Sequence, residues 1–450
     1  MAENRKRDEI RLSDHFTYGR LIRFTLPSIA MMIFTSIYGV VDGIFVSNFV
    51  GETPFAALNL IMPYIMIFSA VGFMLGTGGS ALVAFTLGTG DRKRANEIFS
   101  LLVYVLIALG ALFTVVGIVL AEPASRLLGA DEAMLPYCVL YARICFLGSI
   151  PFALQYAFQS FLITAEKPGL GLHVTVAAGV TNMFLDWLFV GMLGFGLAGA
   201  AWASVIGMVV GGVIPVVYFL RPNTSLLRLV PTKWYPWELM KAVTNGASEF
   251  MTNVSMSIVN MLYNFQLMRF AGQSGVAAYG IIMYTNFIFI GIFLGYAMGA
   301  APVVGYNYGA GNIKELQNVF KKSVKLMLSS SGIIAVISVL SARLLALIFA
   351  SQNEALLNMT VTAIRIYSIS YLFTGMNIFG SSFFTALNNG KISALISFMR
   401  TLVFQILFVL TLPELFGING IWLSIVAAEL CALILTVVCL IANRAKYQYA

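Results

Sequence analysis

Two carboxylates lie within apolar stretches of the first half of the chain. Asp42 lies in YGVVDGIFV, and Asp186 follows Asn182 by four residues in TNMFLDWLF. On a helix this spacing puts Asn182 and Asp186 on one face, and Ser204 adds a hydroxyl from the next apolar stretch. Two carboxylates, an amide and a hydroxyl form an all-oxygen set that suits a hard monovalent cation such as Na⁺, or a carboxylate pair that shares a proton.

These carboxylates are either functional or structural. An acid near the centre of a bilayer costs at least about 2.5 kcal/mol unless it is paired or faces water, so acids in membrane segments mark ion or substrate pathways by default. The alternative is a buried polar group that only stabilises the bundle. The cost favours the functional interpretation.

The composition indicates which elements must position these residues. Of the 450 residues 59% are hydrophobic and only 10% charged, and the mean hydropathy is +0.88. Such a chain has too little polar surface for a soluble protein of this size. Twelve apolar stretches, each long enough for the ~30 Å hydrocarbon core, predict an all-α protein with twelve transmembrane helices.

The second half of the chain repeats the first. LGTGDRKRANEIF, residues 87–99, returns as YGAGNIKELQNVF, residues 308–320, at a constant shift of 221. A duplicated bundle with an even number of spans per copy has both copies facing the same way. We therefore predict two parallel six-helix lobes related by a pseudo-two-fold axis along the membrane normal: an N-lobe of residues 1–220, a cytoplasmic linker of 221–235 and a C-lobe of 236–450.

The basic residues predict the orientation. They cluster at the N-terminus (Arg5, Lys6, Arg7, Arg11), at the C-terminus and after predicted spans 2, 6 and 8, whereas the loops after odd-numbered spans contain almost none. The positive-inside rule puts both termini in the cytoplasm of a multi-pass protein of the cell membrane. The net charge of +8 is thus a topology signal that suits anionic lipids, and no nucleic-acid partner is expected.

The exceptions to the repeat are informative. Shifted by 221, Asp42 lands on Tyr263 and Asp186 on Leu407, so the second lobe lacks both acids. Its main acid is Glu249, either a second cation or substrate site or a residue that reaches water at a helix end. The repeat keeps Arg143 as Arg365, at a shift of 222, which favours a structural role.

Other polar residues in the spans leave alternatives open. Gln155, Gln159 and Asn377 either line a cavity or hydrogen-bond between helices. Arg400 and Glu429 are expected to pair with each other. Pro27, in the first span, either lets that helix bend or makes a static kink.

The order and spacing of the polar residues in the first six spans resemble those of a known family. With the acid in span 1, the Asn-x-x-x-Asp of span 5 and the glycine-basic loop after span 2, the chain resembles the multidrug and toxic compound extrusion (MATE) transporters, in the bacterial and archaeal branch related to the DNA-damage-inducible transporters. The resemblance implies that Asp42 and Asp186 are coupling carboxylates with Asn182 and Ser204 as further ligands. It also implies cavity roles for Tyr38 and Gln159, and a bending role for Pro27.

The chain departs from the family pattern at several positions. Gln159 and Ser204 stand where relatives often have Asn and Thr, which keeps an amide and a hydroxyl but alters their reach. Asn377 stands where another branch has an aspartate that completes a second cation site with the helix-seven glutamate, here Glu249. We list Glu249 and Asn377 as candidate cavity residues.

We therefore expect a secondary active antiporter that exports organic, lipophilic cationic compounds in exchange for Na⁺ or H⁺ by alternating access. No nucleotide-binding loop occurs, and we expect a monomer that is not an enzyme and has no cofactor. Its partners would be small-molecule substrates and membrane lipids. The alternative is a flippase for lipid-linked saccharides, whose diphosphate would need central basic residues; the candidates are Arg143, Arg269, Arg365 and Arg400.

Overall fold

Helices make up almost the whole of the computed structural model, which describes residues 10–350 and 353–450. The predicted all-α fold is confirmed; the basic residues Arg5, Lys6 and Arg7 lie outside the described residues. The helices are α1 Tyr18–Phe49, α2 Glu52–Gly88, α3 Arg92–Val119, α4 Ala121–Leu127, α5 Leu135–Leu147, α6 Ser149–Thr164, α7 Pro168–Asp186, α8 Gly196–Leu220, α9 Pro236–Gly309, α10 Ile313–Ala350, α11 Glu354–Ser368, α12 Tyr371–Ala386, α13 Gly390–Phe398, α14 Phe404–Phe416 and α15 Ile418–Tyr447. Single π-helical turns follow α7 (Trp187–Met192) and α13 (Met399–Val403).

Nine helices in the described part of the chain could cross a membrane by length and composition, and two bent pairs bring the number to eleven. One of the nine is α9, whose 74 residues would measure about 110 Å if straight, far more than a ~30 Å hydrocarbon core. Gly272, with φ 62° and ψ −152°, interrupts it, so the halves before and after this residue correspond to predicted spans 7 and 8. The count of twelve spans stays a prediction.

The internal repeat is present in the backbone. Gly51 and Gly272 have φ of 101° and 62°, and Gly196 and Gly417 have φ of 57° and 58°. Each pair is separated by 221 residues, and each glycine adopts a conformation that other residues rarely do. The repeat in the amino-acid sequence is therefore also a repeat in the backbone conformation.

Two of the predicted spans are each formed by a pair of helices that meet at an angle. α5 and α6 meet at 61°, and α11 and α12 meet at 48°. The breaks fall at Gly148 and at Ile369 and Ser370, which again correspond at a shift of 222. In the first lobe most residues of α6, which follows this bend, are buried.

The two lobes meet in a reciprocal contact between α2 and the end of α9. A Cβ atom at Gly309 would lie well within 3.0 Å of the carbonyl oxygen of Phe85, and one at Gly88 equally close to that of Tyr306. Gly88 and Phe85 are the repeat counterparts of Gly309 and Tyr306. The same pair of residues thus makes the contact from each side, as a two-fold axis requires.

The first helix packs along the second half of α9. Gly295 and Gly299 of α9 lie against the backbone of Ile29 and Thr25 of α1, and Ser36 Oγ donates to the carbonyl oxygen of Phe287 at 3.2 Å. Because glycine lets two helix backbones approach closely, any movement of this half of α1 must repack the boundary between the lobes.

The segment before α1 also joins both lobes. The N–H of Leu12 donates to Glu166 Oε1 in the first lobe at 2.6 Å, and the N–H of Phe16 donates to Glu315 Oε1 in the second at 2.8 Å. Lys322 Nζ donates to the carbonyl oxygen of Phe16 at 2.7 Å. Leu12 and Phe16 are fully buried. The ends of the lobes beside the basic loops are therefore held together.

We expect Gly309→Ala to separate these ends of the lobes. The added methyl group meets backbone, which cannot rotate away, and overpacking of this kind costs about 1–3 kcal/mol, equivalent to a shift of about 5- to 150-fold in a two-state equilibrium. Electron paramagnetic resonance distances between labels at Lys93 and Lys314, exposed repeat counterparts at the starts of α3 and α10, would report it as a longer-distance population. Gly332→Ala, at a site with open space around it, should leave the distances unchanged; an unchanged distribution in both variants would contradict the contact.

Candidate functional site

A cavity of about 210 Å³ lies in the first lobe, lined by residues of α1, α2 and α5 to α8. Three of the four predicted ligands, Asp42, Asn182 and Ser204, line it. Its other lining residues are Thr35, Tyr38, Gly39, Met62, Ile65, Met66, Tyr141, Cys145, Phe152, Gln155, Tyr156, Ala178, Gly207 and Met208.

The fold brings the four predicted ligands together from three helices. Asp42 belongs to α1 and is half-buried, whereas Asp186, the last residue of α7, is fully buried and lies behind the lining, where its charge and that of Asp42 interact. Asn182 lies one turn earlier on α7, and its Nδ2 donates to Ser204 Oγ of α8 at 3.4 Å. The π-helical turn begins directly after Asp186; such turns occur frequently at functional sites.

Hydrogen-bond acceptors outnumber donors at this site. Both carboxylate oxygens of Asp186, Oδ1 of Asp42 and Oδ1 of Asn182 are buried without a hydrogen-bond donor among the described residues. An unsatisfied buried acceptor costs about 1–3 kcal/mol, and more if it is charged. A cation bound among these oxygens, or a proton shared by the two acids, would remove much of that cost.

The rest of the cavity wall is aromatic and sulfur-rich. Tyr38, Tyr141 and Tyr156 present ring surfaces, and Met62, Met66, Met208 and Cys145 present sulfur. Aromatic faces attract organic cations, and methionine side chains adapt to varied shapes. The wall thus suits a small lipophilic cation beside the acids.

Of the two glutamines of α6, Gln155 lines the cavity and Gln159 does not. Gln159 is buried one turn further along α6, and both polar atoms of its amide lack a partner among the described residues.

The sequence does not predict that Tyr141, Cys145 and Tyr156 line the cavity. Tyr141 and Cys145 are four residues apart on α5, so they share a helix face, but this spacing does not show whether the face lines a cavity or packs against another helix.

The second-lobe candidates lie outside this cavity. The Asn377 side chain is fully buried, and its Nδ2 donates to Glu429 Oε2 at 2.7 Å, so Asn377 bonds between helices. The expected pair of Arg400 and Glu429 is confirmed, with 2.9 Å from Nε to Oε1. Glu249 is half-buried on α9, within the field of Arg400.

Pro27 lies inside the 32-residue helix α1, two residues after Thr25 and one turn or less before the contacts of Ile29 with α9. A proline removes one hydrogen bond from the helix backbone. In α1 the missing hydrogen bond therefore lies beside the contacts at the lobe boundary. Its role as a hinge stays a prediction.

Sequence comparison agrees with this architecture. The MatE family profile matches the chain twice, over residues 27–188 and 250–411. The chain belongs to the MatE (MATE) transporter family. The two matches lie one in each lobe, as the repeat requires. The protein is a multi-pass membrane transporter and not an enzyme.

Similar proteins cover the transporter almost end to end. The multidrug export protein MepA of Staphylococcus saprophyticus is 25% identical over 430 residues, which is 92% of this chain and 91% of MepA. A multidrug resistance MATE family transporter of the MOP superfamily, solved in an outward-facing conformation, superposes with a TM-score of 0.92 at 22% identity, covering 98% of this chain and 99% of its own. A MATE structure in a bent conformation superposes with a TM-score of 0.87 at 23% identity over 96% and 97% of the two chains.

We expect Cys145 to report the charge of the cavity. With Cys138, Cys431 and Cys439 replaced by alanine, a cationic methanethiosulfonate reagent should modify Cys145 at least about tenfold faster than an anionic one of similar size, because Asp42 lines the same cavity and a tenfold ratio needs only about 1.4 kcal/mol of electrostatic preference. The ratio of the two rates should approach one in Asp42→Asn/Asp186→Asn. A ratio that the double substitution leaves unchanged would mean that the acids do not set the potential in the cavity.

Proposed function

We propose that this transporter is a secondary active multidrug antiporter that exports small organic, lipophilic cations in exchange for Na⁺ or H⁺. The observation that carries the proposal is the set of unsatisfied acceptor oxygens of Asp42, Asn182 and Asp186 beside an aromatic cavity. The relatives named multidrug export proteins support export of small molecules.

In the proposed cycle the inward cation and the substrate compete for the same charge. An organic cation binds in the cavity while Asp42 and Asp186 are negatively charged. Na⁺ ligated by Asp42, Asn182, Asp186 and Ser204, or a proton on the acid pair, then neutralises the site and weakens substrate binding. Tyr38 holds the substrate in the cavity as a polar aromatic side chain.

Helix α1 connects this site to the alternation of the lobes. Asp42 lies on the same helix as Thr25 and Ile29, which pack against α9 at the lobe boundary. A change of charge at Asp42 would alter the position of α1, with Pro27 as the point of bending. The contacts beside the basic loops close that end, which we assign to the cytoplasm of a monomer in the plasma membrane with both termini inside.

The coupling ion is the open choice, because the same carboxylate pair can take up either cation. Substrate efflux from proteoliposomes with Na⁺ and pH gradients imposed separately decides between them. Transport driven by neither gradient would contradict an antiporter.

The flippase alternative requires arginines that line the cavity and bind a diphosphate, and the positions of the four candidate arginines do not favour it. None of the four lines the cavity in the described part of the chain. Arg269 pairs with Glu414, Arg400 pairs with Glu429, and Arg143 and Arg365 are exposed on the helix surface.

We expect Asp42→Asn and Asp186→Asn each to abolish gradient-driven export, lowering the initial rate at least about tenfold. Asparagine keeps the shape and the oxygen but cannot change charge or hold the cation with a full negative charge. The measurement is efflux of a fluorescent cationic dye from proteoliposomes under the driving gradient.

The matched control is Asp91→Asn. Asp91 caps the start of α3, far in sequence from the cavity residues, with its side chain accepting from Arg94 N–H, and asparagine is an equally good N-cap. Its transport rate should equal that of the unchanged protein. Full gradient-driven export by both cavity variants would overturn the assignment of the coupling site.

A further inference from the structure

The second lobe contains a buried cluster of charged and polar side chains. Arg400 Nε donates to Glu429 Oε1 and Oε2 at 2.9 and 3.1 Å, and Asn377 Nδ2 donates to Glu429 Oε2 at 2.7 Å. Thr436 Oγ1 donates to Asn377 Oδ1 at 3.2 Å. Only 13% of the Arg400 side chain and 4% of the Glu429 side chain are exposed. Each polar atom of Glu429 and Asn377 thus has a partner.

The internal repeat shows what this cluster replaces. At the shift of 222 that relates Arg143 to Arg365, and the positive-φ residues Glu166 and Asn388 just before α7 and α13, Asn377 corresponds to Gln155 and Arg400 to Ala178. At the shift of 221 that relates Gly199 to Gly420, Glu429 corresponds to Met208. All three counterparts in the first lobe line the cavity. The cluster therefore occupies the place in the second lobe where the first lobe has its cavity.

Other repeat positions fill the same region. Gly39 and Ser204 of the first cavity correspond to Asn260 and Ile425, which are larger. Tyr263 stands at the position of Asp42, and its hydroxyl donates to Gln405 Oε1 at 2.9 Å. Where the first lobe has acids with unsatisfied oxygens, the second has a neutral hydroxyl and an acid whose two oxygens are both hydrogen-bonded.

We propose that Arg400 is a tethered counter-cation that keeps the second lobe out of the coupling cycle, and so limits the number of cations exchanged per substrate. The inference rests on the proposed antiport at the first lobe. Because a guanidinium is charged at every physiological pH and its bonds to a carboxylate are charge-assisted, neither Na⁺ nor H⁺ displaces it from Glu429. The charge of Arg400 also interacts with Glu249, the candidate acid on α9.

Removing the guanidinium should convert the cluster into a cation site. In Arg400→Gln, Glu429 keeps its position through Asn377 but loses its counter-charge, and a buried carboxylate without one must bind a cation or a proton. The other titratable groups whose charges interact with Glu429 are Tyr263 and Tyr367, and neither is a base that supplies a positive charge.

The test is the coupling ratio of the reconstituted protein. It is obtained from the substrate gradient that just balances an imposed cation gradient. We expect one more cation per substrate in Arg400→Gln than in the unchanged protein, and the original ratio in Arg400→Lys, which keeps the charge, and in Arg400→Gln/Glu429→Gln, which removes both charges. An unchanged ratio in Arg400→Gln, or an increase that survives the double substitution, would overturn the proposal.

A second measurement needs no substitution of Arg400. Purified Asp42→Asn/Asp186→Asn should bind no more ²²Na⁺, and take up no more protons in a pH jump, than the same protein with Glu429→Gln and Glu249→Gln added, because Arg400 already supplies the counter-charge in the second lobe. Residual uptake that Glu429→Gln or Glu249→Gln removes would overturn the role of Arg400. Uptake that Asp42→Asn/Asp186→Asn leaves equal to that of the unchanged protein would instead overturn the first-lobe coupling site, so the two failures are distinguishable.

Discussion

The close placement of two carboxylates, three of whose four oxygens are buried without a hydrogen-bond donor among the described residues, is the constraint on which the rest of the structure depends. Like charges in a site of low dielectric constant repel each other strongly, and each also loses hydration. The bundle tolerates this because Asp186 is fixed at the end of α7, behind Asn182, while Asp42 approaches from α1. The site is therefore least stable with both acids charged and nothing bound, which is the condition under which it attracts a cation.

The helix that contains Asp42 also forms part of the lobe boundary. Thr25 and Ile29 lie against Gly299 and Gly295 of α9, and the preceding residues Leu12 to Phe16 are bonded to both lobes. Since packed glycine contacts leave no space for gradual adjustment, a displaced α1 either keeps these contacts or loses them together. In the proposed cycle, this packing is what connects the charge at Asp42 to the opening of the lobes.

Much of this arrangement could be predicted from the sequence, for identifiable reasons. Asp42, Asn182, Asp186 and Ser204 are predicted to form one site because acids in apolar stretches are rare and costly, and the repeat of 221 residues predicts two lobes of the same architecture. The cavity wall could not be predicted. Gln155 and Gln159 lie on one face of α6, and which of them reaches the cavity depends on the bend at Gly148 and on the depth of α6, which a single sequence does not encode in any local pattern.

The two lobes have the same backbone fold but different polar groups in their interiors, and this difference has a physical consequence. If both lobes had unsatisfied acids, each would relax separately on cation binding, and the boundary at Gly88 and Gly309 would respond to two uncorrelated events. With Glu429 bonded to Arg400 and Asn377, the second lobe has no charge-dependent interior group left unpaired in this cluster and behaves as a fixed partner. Cation binding in the first lobe then moves that lobe against a second lobe that does not change shape. One binding event can therefore shift the equilibrium between the two arrangements of the lobes.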